Sequence, residues 1–120
     1  MNHITAVSTV AVPVTDQDRA VAFYVETLGF DLHLDAELPQ LNGRWIVVAP
    51  PGAATSLALV PATSHNPAGN DTGIRFTTPD AGAAHAALGV VAGDLLTWPG
   101  VPPMFSFQDP DGNTLYLVEG

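Results

Sequence analysis

Polar and apolar positions along this chain alternate with period two in short runs, and two stretches of helical period interrupt them. Val10-Ala11-Val12-Pro13-Val14 runs into Thr15-Asp16 and predicts a strand over residues 7–14. Asp16 stands where a carboxylate accepts a hydrogen bond from the amide of Arg19 and caps a helix. Ala20, Phe23, Tyr24 and Leu28 then recur at the spacing of one helix face, which predicts a helix from Gln17 to Leu28 with that stripe buried and Gly29 closing it. Phe30 to Asp35 alternates again. Arg44 to Ala49 reads as a third strand, and Ser56 to Val60 as a fourth beyond the turn at Pro50-Pro51-Gly52.

The same order then repeats. Gly73-Ile74-Arg75-Phe76-Thr77-Thr78 leads through Pro79 to a second acidic cap, Asp80, 64 residues after the first. A shorter helix over Ala81 to Leu88 follows, closed by Gly89. Strands are expected near Leu95 to Trp98, at Met104 to Gln108 and at Thr114 to Glu119. Asp109-Pro110-Asp111-Gly112 supplies Pro and Gly where a type I turn accepts them. Pro61 to Thr72, polar and rich in Pro, Gly and Asn, reads as the linker. The expectation is one α+β domain over residues 1–120, built of two βαβββ modules with about eight strands and two helices. Module one covers about 4–60, the linker 61–72 and module two 73–120.

Composition narrows the function. Only 12% of the 120 residues are charged, against 47% hydrophobic. So low a charge content, about half the roughly 25% usual in globular domains, favours a homo-oligomer or a large apolar cavity. The net charge is −9, with three Arg and no Lys, which argues against nucleic acid and against anionic membranes. No signal peptide and no apolar run of spanning length is present, and a cytoplasmic location is expected. The absence of Cys removes thiolate nucleophiles and sulfur ligands, and the absence of Lys removes Schiff-base chemistry from a side-chain amine.

Several motifs in their order carry a resemblance. Val14-Thr15-Asp16, Ala22-Phe23-Tyr24, Leu28-Gly29-Phe30, the Asp80 cap and Asp109-Pro110-Asp111-Gly112-Asn113 before the last strand together resemble the vicinal oxygen chelate superfamily. That family includes glyoxalases, bleomycin resistance proteins and extradiol dioxygenases. The resemblance covers nearly the whole chain. It implies paired modules forming a cup-shaped mixed sheet with helices outside, usually within a homodimer. Metal-using members place His, Glu or Gln at four inward positions, two of them seven residues before each capping acid and two near the middle of each module's last strand. Carried onto this chain, those positions are Thr9, Gly73, Ala58 and Tyr116. A catalytic divalent metal needs about three imidazole or carboxylate ligands. No metal site and no cofactor are therefore expected.

The remaining candidates follow from position. Arg75 shares a strand face with Gly73 by alternation, so a guanidinium facing the cup is expected there to clamp an oxyanion, with an ion pair to one of the acids as the plain alternative. Tyr116 offers a phenol to hydrogen-bond and a ring to stack. Trp45, Trp98, Phe105 and Phe107 are candidate walls, against the simpler reading of aromatic core. His3, His33, His65 and His85 show no pairing at ligand spacing and read as surface or structural, Arg19 as solvated, Arg44 as a rim residue and Glu119 as peripheral. No nucleophilic triad and no phosphate-cradling glycine loop is legible.

The expected function is metal-free binding of a small organic ligand, with drug or natural-product sequestration as its concrete form. The rival is an enzyme. In its metal-free form, an isomerase, cyclase or lyase, Tyr116 would serve as acid and Arg75 would stabilise an enolate; a metal-dependent lyase or dioxygenase is the weaker version. A module with no ligand at all is a third reading, marked by a cup filled with its own side chains.

Overall fold

Asp16 and Asp80 turn the chain from strand to helix by the same local chemistry. In the computed structural model, which describes residues 2–120, each cap has extended backbone, and its Oδ1 accepts a hydrogen bond of 3.0 Å from the amide three residues on, Arg19 and Ala83 respectively. Each cap belongs to its own compact unit, the first Met1–Ala68 and the second Gly69–Gly120.

In the first unit the order is β1 (Thr9–Val14), α1 (Gln17–Val21), β2 (Asp31–Leu38), β3 (Gly43–Ala49) and β4 (Ser56–Pro61). The four strands form one sheet in the order β1-β4-β3-β2, with β1 parallel to β4 and the other pairs antiparallel. Alternation places Val12, Val14, Ile46, Val48, Leu57 and Leu59 on one face, all buried. Burying that set removes the apolar area that drives folding of the unit, at about 25 cal/mol per Å².

The Gln17 side chain docks α1 on this sheet. Its Nε2 donates to the carbonyls of Arg44 and Leu59 at 2.6 and 2.9 Å, and its Oε1 accepts from the Arg44 amide at 3.0 Å. The helix predicted as one piece to Leu28 is instead an α-helix of 5 residues continued by a π-helical stretch, Ala22–Thr27. There the Leu28 amide reaches back five residues to the Phe23 carbonyl. Phe23 and Tyr24, adjacent in sequence, are both buried, edge to face at 5.3 Å.

The second unit contains β5 (Asp71–Thr78), α2 (Ala81–Leu88), β6 (Met104–Gln108) and β7 (Thr114–Glu119). Its sheet runs β5-β7-β6, with β5 parallel to β7 and β6 antiparallel to it. The strand expected near Leu95 to Trp98 does not form; single bridges, Leu96 to Met104 and Ala92 to Phe107, stand in its place. Pro99, Pro102 and Pro103 lack the N–H that would extend the pairing, and the chain turns at Trp98 to Val101 instead. Seven strands, not eight, are therefore present among the described residues. The segment read as linker supplies the last residue of β4 and the first two of β5.

The Asp109–Asn113 motif is a buried structural knot. Asp109 Oδ1 accepts from the amides of Asp111 and Asn113, and its Oδ2 accepts from Asn113 Nδ2 at 2.9 Å. Asn113 Oδ1 accepts from the Gly69 amide at 2.8 Å, which ties the start of the unit to the turn before its last strand. Glu119 Oε1 accepts from the Ala81 amide at 3.0 Å, satisfying a donor in the first turn of α2.

Candidate functional site

Each unit presents a sheet face opposite its helix; Thr9, Trp45 and Ala58 belong to the first, Arg75 and Tyr116 to the second. In the first unit the register sets Ala11 beside Ala58, Val47 beside Ala58, Leu34 beside Val47 and Ala36 beside Trp45. The result is an almost wholly apolar surface. Leu34, Ala36, Leu38 and Trp45, with Glu37, line an open hollow of about 400 Å³ on it. Leu34 is 46% exposed and Trp45 half-buried, so both present surface to a ligand. Ala58, expected to line the site, is fully buried under its neighbours and offers none. Thr9 is exposed, and its hydroxyl lies 2.9 Å from that of Ser56.

In the second unit the face opposite α2 carries a connected cluster. The Tyr116 hydroxyl donates to Asp71 Oδ2 at 2.6 Å. Arg75 lies over the Tyr116 ring, 4.3 Å from its centroid, and its Nη1 donates to the Gly73 carbonyl at 2.9 Å. Asp71 Oδ1 accepts from the Gly73 amide at 2.9 Å.

Gly73 is the pivot of this arrangement. Its φ is +70°, and across it the pairing with β7 steps from Asp71–Thr114 to Arg75–Tyr116, so β5 carries a bulge. The bulge lets both ends of the segment reach Tyr116. Strand alternation puts Gly73 and Arg75 on one face, and both residues are exposed. The Tyr116 hydrogen bond, then the Gly73 amide, holds the Asp71 carboxyl below the usual carboxylate range. The same Asp71 contact pushes the Tyr116 phenol above its ordinary value.

The other predicted wall residues lie elsewhere. Ser106 pairs with Tyr116, whereas Phe105 and Phe107 pair with Leu117 and Leu115 on the opposite face. Phe105 and Phe107 are 1% and 2% exposed and belong to the core, Phe105 edge-on to His85 of α2 and Phe107 stacked on Phe76. Trp98 is 61% exposed at a turn. Asp71, Ser106, Met104 and Val118, which share the face with Tyr116 or pair across it, are not singled out by the sequence pattern. The glycine inside a strand is the one sequence signal that marks the bulge bringing Asp71 to Tyr116.

His85 and Arg44 make contacts within the fold. His85 Nε2 lies 2.8 Å from the Gly93 carbonyl, and His33 sits at the β2 register shift, exposed. Arg44 pairs with Asp18 at 2.7 Å and Asp35 at 2.9 Å, a surface network that raises its pKa, chiefly through the Asp35 hydrogen bond.

The donor set does not fit the metal of the resembled family. Gly73 and Ala58 have no ligating atom, Thr9 offers a neutral hydroxyl beside Ser56, and the Tyr116 phenol is held protonated by Asp71. Among the described residues no three of His, Cys, Asp or Glu gather to hold a metal ion. No helix among them is long and apolar enough to cross a membrane.

Comparison with known proteins supports the architecture. TnmS3, an antibiotic binding protein from Streptomyces sp. CB03234, is 40% identical, with 99% of this chain and 98% of that chain covered and a TM-score of 0.88. A glyoxalase/bleomycin resistance protein from the same Streptomyces is 41% identical over 92% of this chain and 96% of its own, with a TM-score of 0.78. An uncharacterized protein of Shewanella frigidimarina (strain NCIMB 400) is 41% identical over 70 residues, 55% of this chain and 52% of that protein. The chain thus spans about half the length of the curated relatives it matches. The model of the Glyoxalase/Bleomycin resistance protein/Dioxygenase superfamily matches residues 1–117, and the chain belongs to that superfamily.

Proposed function

We propose that this protein binds a small organic molecule without a metal and sequesters it rather than converting it. The observation that carries this reading is the helix-free face of the first unit, where Leu34, Ala36, Leu38 and Trp45 line an open apolar hollow of about 400 Å³. Concave apolar surface with few polar groups is the usual form of a small-molecule site. An aromatic antibiotic or natural product is the concrete ligand class, in keeping with the antibiotic binding described for TnmS3. Thr9 and Trp45 are proposed contacts on the first unit, and Trp98, Gly73, Arg75 and Tyr116 are proposed contacts on the second. A homodimer is part of the same proposal.

The metal-free enzyme reading is weakened by the pairing of Tyr116 with Asp71. A general acid works best with a pKa near the operating pH. Asp71 moves the phenol the other way, above its ordinary value. The metal-dependent reading lacks ligands, as described above.

Native mass spectrometry with elemental analysis, on protein purified without chelator and mixed with a panel of aromatic antibiotics, tests the proposal. The expected result is a one-to-one complex from which the ligand is recovered chemically unchanged, with no stoichiometric Zn, Ni, Mn or Fe. Tight one-to-one metal, or a ligand recovered altered, overturns it.

A further inference from the structure

The second unit's helix-free face is organised in two rows across its three strands. One row is Arg75, Tyr116 and Ser106; the next is Thr77, Val118 and Met104. The rows stand two residues apart along each strand, about 7 Å. The first row is polar and ends in a cation. The second is apolar at Val118 and Met104, both half-buried.

The charges of this face are unequally satisfied. Both oxygens of Asp71 already accept a hydrogen bond, from the Gly73 amide and from the Tyr116 hydroxyl. Arg75 differs. Its Nη1 donates to a neutral carbonyl, its guanidinium carbon lies over a phenol ring, and the Asp71 carboxylate attracts it through space. Arg44, by contrast, is paired with two carboxylates. An exposed guanidinium held by one hydrogen bond to a carbonyl and by a ring beneath its carbon keeps much of its donor fork for an acceptor with two oxygens. A carboxylate matches such a fork with two parallel hydrogen bonds.

Together these rows lead us to propose that the second unit takes an aromatic carboxylate, its two oxygens on the Arg75 fork and its ring on Val118 and Met104. The inference rests on the small-molecule reading above and goes beyond it, adding on the second unit a ligand surface of stated chemical class. It also assigns parts to the neighbours. Tyr116 is a positioning residue that braces the guanidinium from beneath, and Asp71 fixes Tyr116. The net charge of −9 opposes anions at long range, so selectivity here comes from contact and not from steering.

Calorimetric titration with 2-naphthoate, its methyl ester and 2-naphthamide tests this on the intact chain. The expected result is that the acid binds about tenfold more tightly than the ester, the size of a charge-assisted bidentate contact. Arg75→Met abolishes that preference, bringing the affinity of the acid down to that of the ester. Arg75→Lys keeps the charge but not the fork, and retains only part of the preference. Equal affinity for acid and ester in the native protein, or a preference that survives Arg75→Met, overturns the carboxylate assignment and leaves small-molecule binding standing. Failure of all three naphthalene probes to bind, together with failure of the antibiotic panel, overturns the binding reading and this inference with it.

Discussion

The Tyr116 hydroxyl donates to Asp71 Oδ2 across 2.6 Å, joining two strands at residues 45 positions apart in sequence. The contact shifts both groups in opposite senses, the carboxyl down and the phenol up. Asp71→Asn therefore lets the Tyr116 phenol ionise at lower pH, back toward about 10, which the pH dependence of tyrosinate absorbance reads directly. The stability signs follow. The depressed Asp71 contributes fully above the ordinary carboxylate pKa of about 4, and its contribution is lost as pH falls through the folded value. The raised Tyr116 contributes below about 10 and is lost as pH rises through its folded value. Thermal melts of Asp71→Asn are expected to show a flatter pH dependence in both windows than melts of the native protein.

Gly43 and Gln17 form one joint between β3 and α1. A Cβ on Gly43 would stand 2.7 Å from Pro61 Cγ and 3.0 Å from Gln17 Oε1. The proline ring cannot swing aside as a flexible chain end would, so Gly43→Ala is expected to destabilise by about 2 kcal/mol. Gln17→Ala removes three hydrogen bonds to strand backbone and is expected to cost about 2 kcal/mol. The two changes damage the same contact, so the double variant should lose less than the sum. A double-mutant cycle on urea midpoints measures the shortfall.

Asn113 is buried with its carboxamide bonded at both ends, to Asp109 on one side and the Gly69 amide on the other. Asn113→Ala leaves a buried carboxylate with one donor fewer and strands the Gly69 amide. A loss on the order of 3 kcal/mol is expected by chemical denaturation. Asn113→Asp places a second carboxylate against Asp109 and should be at least as damaging.

Trp45 offers the largest aromatic surface in the hollow of the first unit. Trp45→Leu keeps an apolar side chain in the strand but removes the flat ring. Affinity for an aromatic ligand of the sequestered class should fall about tenfold, measured by calorimetry. Phe105→Leu is the control. It is buried on the face that packs α2, so it should lower stability and leave affinity unchanged.

Signals that act over a few residues are legible in the chain itself. The two caps, the second helix over Ala81–Leu88 and the strands Met104–Gln108 and Thr114–Glu119 occur where the pattern puts them. Their causes are local: a carboxylate three positions ahead of an amide, or an alternation set by the pleat. The Asp-Pro-Asp-Gly-Asn turn forms where its residues predict it for the same reason.

What lies beyond the sequence is register. Tyr116 and Phe105 are both aromatic residues in alternating strands, and nothing local says which faces a helix. The pairing of Ser106 with Tyr116 decides it, and sends Phe105 and Phe107 to the core. The bulge at Gly73 likewise decides that Asp71 meets Tyr116, a contact made only because β5 carries residues that β7 does not match. The sequence by itself determined where these caps and strands begin and which side chains lack the atoms to bind a metal, since both depend on residue identity and near neighbours. Only the tertiary structure decided which side chains share a face, because strand register is set by the cooperative packing of the whole sheet.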